Sequence, residues 1–214
     1  MRVIVFGATG MVGQGVLREC LLAGDVEEVR SIGRRPTGRR HPKLTETSVT
    51  DVGDLSAIAD TLKDYDACFY CLGISSVGMS EQDYTTISYD YPVAAARTLA
   101  RHNPGMTFVY VSGAGTNVES RTMWARVKGR TEVEIIKIFP NGYGFRPGFI
   151  QPLYGVMPRT RTLKALYTLL APVAPAFIRW APRYATTSEG LGKAMLRAAR
   201  IGFPTHIVEN KDLR

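Results

Sequence analysis

Residues 2–13 constrain this chain more than any other stretch. Arg2-Val-Ile-Val-Phe6 is a short β-branched apolar run, Gly7-Ala-Thr-Gly10-Met-Val-Gly13 is rich in glycine, and helix formers follow to Leu22. That order predicts a strand, a tight turn and a helix, the opening βα unit of a dinucleotide-binding fold. Gly7 lets the backbone turn, Gly10 leaves room for a pyrophosphate, and Gly13 lets the helix pack closely on the strand. A helix starting near Gly10 then aims its free N–H groups and positive dipole end at an anion, with no charged side chain needed. The competing reading is an ordinary tight βα turn; the strand before it and the helix after it weigh against that.

The rest of the chain repeats the alternation. Strands are expected at 29–32, 47–50, 67–72, 108–111, 143–146 and 205–208, with helices over 55–62, 80–100, 122–139 and 186–200. Ser80 with Asp83 and Thr186 with Glu189 read as capping boxes, and Pro92 should kink the helix that contains it or mark a break in it. At 214 residues and 45% hydrophobic composition the chain can bury one proper core, so 1–214 is read as a single domain. Residues 152–186 are set apart as a lid or substrate-side insertion. Within them 163–180 is apolar, broken by Pro172 and Pro175 and bracketed by arginine and lysine. That pattern disfavours a transmembrane helix and leaves a lid as the first reading, with an interfacial membrane or partner-binding segment as the second.

Strand ends carry the candidate chemistry. The second strand runs into Gly33-Arg34-Arg35, and no Asp or Glu occurs between Glu28 and Glu46. An acid there would take the ribose hydroxyls of NAD and repel a 2′-phosphate, whereas guanidinium groups hold that phosphate. NADP(H) is therefore expected over NAD(H), with Arg34 and Arg35 as ligands; alternatively both belong to a solvated basic loop with Arg39, Arg40 and Lys43. Asp51, with Val52 after it, either accepts from the adenine amino group or caps the following helix. Leu72 and Gly73 end the fourth strand, where a missing side chain lets a ribose lie close. Ser112 ends the fifth strand and could hydrogen-bond a substrate carbonyl.

Other chemistries are disfavoured. Cys68 and Cys71 stand three apart on a strand and so point to opposite faces, which argues against a metal or redox pair; no metal site is expected. Three cysteines, and Met1 leading straight into a strand, suggest a reducing, cytoplasmic setting. Ser112 lacks the G-x-S-x-G elbow, and His206 is the only histidine late enough to complete a hydrolase triad. The formal charge of +8 favours anionic partners. A 2′-phosphate and solvated faces account for it without nucleic acid.

The glycine loop, Asp51, Ser112, Lys128 and the alternating elements together resemble the short-chain dehydrogenase/reductase superfamily. Met123-Trp-Ala-Arg-Val-Lys-Gly-Arg130 and Arg146-Pro-Gly148 are similar to its compact, atypical branch, which is NAD-dependent epimerase/dehydratase-like and includes the Tat-interacting oxidoreductase-like proteins. The resemblance implies an α/β fold, a Rossmann-type doubly wound parallel sheet with a small C-terminal substrate-side lobe. It further implies that Gly7, Thr9, Gly10, Met11 and Val12 line the pyrophosphate, Asp51 and Val52 the adenine, and Pro147, Gly148 and Phe149 the nicotinamide, while Lys128 holds its ribose. Lys128 and Ser112 are the implied catalytic residues. Where the family's Tyr-x-x-x-Lys places its tyrosine, this chain has Trp124, and Gly113 stands beside Ser112. An indole N–H is a donor that does not ionise in the range where a phenol exchanges its proton. The expected function is an oxidoreductase that works without that tyrosine on an unidentified small molecule; the alternative is a non-catalytic NADP(H) sensor.

Overall fold

The computed structural model describes residues 1–156, 180 and 183–213. Seven parallel strands form the central sheet: β1 (Arg2–Phe6), β2 (Glu28–Gly33), β3 (Leu44–Ser48), β4 (Ala67–Tyr70), β5 (Thr107–Val111), β6 (Asn141–Arg146) and, after two short strands outside this sheet, β9 (Ile207–Glu209). Their order is β3-β2-β1-β4-β5-β6-β9, so the chain steps outward one way from β1, returns, and builds the other half from β4. The expected Rossmann-type doubly wound sheet is therefore present.

Period-two alternation divides the core between the two faces. Val3, Val5, Phe69, Val109 and Phe145 pack beneath α1 (Met11–Leu22) and a C-terminal helix over Ser188–Ile201. Ile4, Phe6, Tyr70, Phe108 and Tyr110 face Leu55, Leu62, Leu99, Ile135 and Phe139 on the other side. Strands with both faces covered need near-continuous apolar runs, which is why β1, β4 and β5 are legible in the sequence.

Several expected boundaries move. The third strand is Leu44–Ser48, paired with Val29–Gly33, and not 47–50. As an edge strand with largely exposed side chains it lacks the apolar run that marks its neighbours. Residues 56–62 form a 3₁₀ helix in which only Leu62 is fully buried, too narrow a stripe to hold a longer α-helix to the sheet. The last strand begins at Ile207. A two-stranded parallel sheet, β7 (Phe149–Gln151) with β8 (Ala185–Thr187), was not anticipated. Thr186 lies in β8, so the helix cap is Thr187, whose Oγ1 accepts from Gly190 N at 2.9 Å. The proposed lid falls mostly on 157–179 and 181–182, outside the described residues.

The helix expected over 80–100 has a different break. Ser80 caps α2 (Glu81–Thr85) as expected, its Oγ accepting from Asp83 N at 3.1 Å. A π-helical turn (Thr86–Asp90) then leads into α3 (Tyr91–His102). Pro92 has no N–H to give to the carbonyl four residues earlier, that of Ser88. This carbonyl takes the Tyr110 hydroxyl at 3.0 Å and the Thr131 hydroxyl at 2.7 Å. The distortion sits one turn before the proline, where β5 and the following helix fill the missing bond. Tyr110→Phe is expected to cost about 1 kcal/mol, read as a lower urea midpoint at unchanged slope.

Candidate functional site

The C-terminal strand ends open onto two adjoining clefts. The first, of about 540 Å³, is lined by Gly7 to Gly10, Ser31 to Arg35 and Cys71 to Gly73. Gly7 adopts φ +74°, and a β-carbon there would stand 2.6 Å from the Leu72 amide nitrogen. A β-carbon on Gly13 would overlap the Gly7 carbonyl oxygen. Both glycines thus let strand, turn and helix close on one another. Gly10 caps α1, its own N–H bonded to Gly7 O at 2.9 Å; no side chain caps the helix and no acid stands in its first turn. The N-terminus of α1 therefore has donors for an anion.

Arg34 and Arg35 are exposed on the wall of this first cleft, with no protein partner for either guanidinium among the described residues. Thr9 lines the cleft too, and its carbonyl accepts from Gln14 Nε2 at 3.1 Å. Asp51 and Val52 are not on either wall. The Asp51 carboxylate accepts from Gly53 N at 2.8 Å, and Val52 is buried in the core below.

The second cleft, of about 650 Å³, shares Gly10, Cys71, Leu72 and Gly73 with the first. It continues past Met11 and Val12 to Val111–Ala114, Lys128, Pro147, Gly148 and Ile150. Gly148 N donates to Asn210 Oδ1 at 2.8 Å, and its backbone lies so close to the Tyr184 carbonyl that no side chain fits. Phe149 sits in β7, its N–H donating to Tyr184 O at 2.8 Å, beside the cleft wall formed by Ile150. Ile74, Ser75, Ala114 and Ile150 are lining residues that sequence reasoning missed, and Ser31 is another in the first cleft. Nothing in their residue types separates them from ordinary loop and strand positions.

Lys128, on α4 (Met123–Ile138), donates from Nζ to the Ser112 carbonyl at 2.5 Å. Burial lowers its pKa from the ordinary lysine range to about 8, against the opposing charge of Glu132. Ser112 turns its hydroxyl away from the cleft and donates to Glu132 Oε1 at 2.5 Å. Glu132 is buried and held by Arg146 through Nε at 3.0 Å and Nη2 at 2.7 Å, while Arg146 Nη1 reaches Glu209 at 3.0 Å. The i,i+4 spacing of Lys128 and Glu132 was the available signal for this carboxylate. Trp124, one turn before Lys128, packs near the Gly113–Gly115 loop; Cζ3 lies 4.0 Å from where a Gly113 β-carbon would stand. The indole is not among the cleft-lining residues.

Other candidates separate from the site. Tyr84 is buried, Tyr89 lies under Arg130 at 4.8 Å from the ring centroid, and Tyr91 packs on Gly53; none of them lines either cleft. His206 bonds Gly142 O at 2.8 Å, at the start of β6, whereas Ser112 lies beside the strand's far end. All three cysteines are free, and no cluster of metal-ligating side chains occurs among the described residues.

A doubly wound sheet with a glycine turn and a trough across its switch point defines a nucleotide-binding protein of the Rossmann class. The model of the NAD dependent epimerase/dehydratase family matches residues 3–119, and the chain belongs to that family. Among its relatives, the mitochondrial protein FMP52-1 of Scheffersomyces stipitis is 29% identical over 70% of this chain and 67% of its own length. Protein HTATIP2 of Rattus norvegicus is 26% identical over 69% of this chain and 62% of its own. The chain therefore matches about two thirds of these relatives' length. Among solved structures, the Bordetella bronchiseptica enzyme WbmF in complex with NAD+ superposes with a TM-score of 0.70 at 17% identity, over 99% of this chain and 76% of that one. The PhqB reductase domain of Penicillium fellutanum gives 0.68 at 15%, over 97% and 65%. These likenesses are of fold.

Proposed function

We propose that this protein is an NADP(H)-dependent oxidoreductase acting on an acceptor that needs no phenolic proton donor, such as a flavin, a quinone or a conjugated alkene. The observation that carries it is the trough itself, with two arginines that have no partner among the described residues at one end and Lys128 at the other. The donor set suits the cofactor: N–H groups of α1 for the pyrophosphate, guanidiniums for a 2′-phosphate, and an ammonium beside the reactive end. Asp51, exposed but off both walls, is assigned to the adenine in this reading, whereas Val52 is buried in the core and is not; Met11, Val12, Pro147, Gly148 and Phe149 are assigned to the pyrophosphate and nicotinamide side. When bound, NADPH supplies a hydride.

The chain's own contribution is orientation. Lys128 holds the ribose, and the apolar wall of Met11, Val12, Val111 and Ile150 excludes water from the acceptor's face. A proton comes from water or from the Lys128 ammonium, since Ser112 already gives its hydrogen to Glu132. The reading includes a cytoplasmic location, although FMP52-1 is mitochondrial; imaging of the tagged full-length protein decides that point.

Fluorescence titration with NADPH and NADH, followed by a panel of flavin, quinone and enone acceptors, tests the proposal. Preferential NADPH binding with oxidation is expected, and failure to bind either nucleotide overturns it. The presence of Trp124 where the family has tyrosine favours one second reading, a sensor that binds NADP(H) without turnover. Tight binding with silence across all acceptors selects that reading.

A further inference from the structure

Glu132 lies behind the wall residue Ser112, does not itself line the cleft, and is a buried carboxylate that the proposed chemistry does not use. Its neighbours form one chain of bonds: Glu209, Arg146, Glu132, the Ser112 hydroxyl, and the Ser112 carbonyl with Lys128. Two formal positive charges meet two negative ones, so the row is neutral with Lys128 protonated. Gly144 makes room for it, because a β-carbon there would stand 2.7 Å from Glu132 Cγ. Arg146 fixes the carboxylate by a two-pronged grip, which sets its orientation as well as its position. Ser112 is pinned in turn by its N–H to Phe145 O at 2.8 Å. Lys128 and Glu132 stand one helical turn apart on α4 and hold the same residue, one by its carbonyl and the other by its hydroxyl.

We infer that Glu132 is a positioning residue for Lys128: through Ser112 it fixes the carbonyl that aims the ammonium into the cleft, and it sets a carboxylate one helical turn from that ammonium. The role deepens the nucleotide-binding reading and rests on it only for its effect on cofactor affinity. The charged groups around Lys128 agree with it. Glu132 is the near one, Arg146 and Glu209 stand behind it, and on the outer surface Arg126 is neutralised by Glu81 at 2.8 Å. Cys71 on the cleft floor is a neutral thiol, its pKa pushed up by burial. Glu132 is thus the charge that opposes desolvation of the lysine.

The test reads Lys128 without any cofactor. Reductive ¹³C-methylation gives each lysine a dimethylammonium resonance, and the signal missing from Lys128→Met assigns this one. Its titration midpoint in the unsubstituted protein is expected near 8. In Glu132→Gln it is expected to fall by about one pH unit, because desolvation then acts unopposed. Glu132→Asp keeps a charge opposite Arg146 but withdraws it from Ser112, and covers the case in which the glutamine variant does not fold; a fall of about half a unit is expected. In parallel, NADPH affinity should decline as pH rises through the midpoint, since deprotonation removes the charge and a donor, and this break should move with the resonance. An unmoved Lys128 midpoint in whichever variant folds overturns the inference. If the midpoint moves while the unsubstituted protein binds no NADPH, the positioning role stands and the nucleotide reading fails.

Discussion

Gly13→Ala is expected to lower the melting temperature by roughly 6–12 °C, the consequence of about 3 kcal/mol of overpacking in a chain of this length. The new methyl group has no free volume: its position overlaps the Gly7 carbonyl oxygen and lies 2.8 Å from Ala8 Cα. Both obstacles are backbone, so relief requires α1 to lift from β1. That movement would also spoil the N–H cradle at Gly10, and NADPH binding should be lost along with the stability. Gly24→Ala is the matched control, since a β-carbon there meets nothing within 4 Å. Its melting temperature should stay within about 2 °C of the parent, because surface substitutions rarely exceed half a kcal/mol. Thermal melts of the two variants decide whether the turn is as close-packed as described.

The second large effect concerns nucleotide choice. Replacing both arginines, Arg34→Ala with Arg35→Ala, is expected to weaken NADPH binding about 30-fold, equivalent to about 2 kcal/mol for two charge-assisted contacts at exposed positions. NADH binding should change less than about twofold, because in the proposed reading the lost groups meet only the 2′-phosphate, which NADH lacks. The fold should be untouched, since neither side chain has a protein partner among the described residues. An equal loss for both nucleotides would mean that the arginines act as a general anion field and do not select the phosphate. Titration at two salt concentrations separates these outcomes, a diffuse field being the more readily screened.

What could be read from the sequence follows what each residue's surroundings demand. β1, β4 and β5 are covered on both faces and advertise themselves as apolar runs ending in glycine or serine. The glycine turn is legible because it combines a left-handed position at Gly7 with two close approaches, and glycine alone meets both needs. β3 is displaced from its expected place because an edge strand with exposed side chains leaves the periodicity faint. The Pro92 break was foreseen in kind but not in place, since it depends on which distant hydroxyls reach the Ser88 carbonyl. The row from Glu209 to Lys128 joins residues far apart in the chain, so nothing in the sequence reading singled out Glu132, and only its i,i+4 spacing from Lys128 could have done so. Likewise the direction of the Ser112 hydroxyl is set by Glu132 and was invisible until the strands were assembled.

The shared floor of Cys71, Leu72 and Gly73 has an evolutionary consequence. The glycine turn and the end of β2 line one half of the trough, the ends of β5 and β6 line the other, and the two halves share Gly10 and Cys71–Gly73, a stretch with little side-chain chemistry of its own. On the proposed reading, nucleotide choice at positions 34 and 35 can therefore change while the residues around Lys128 drift toward a new acceptor.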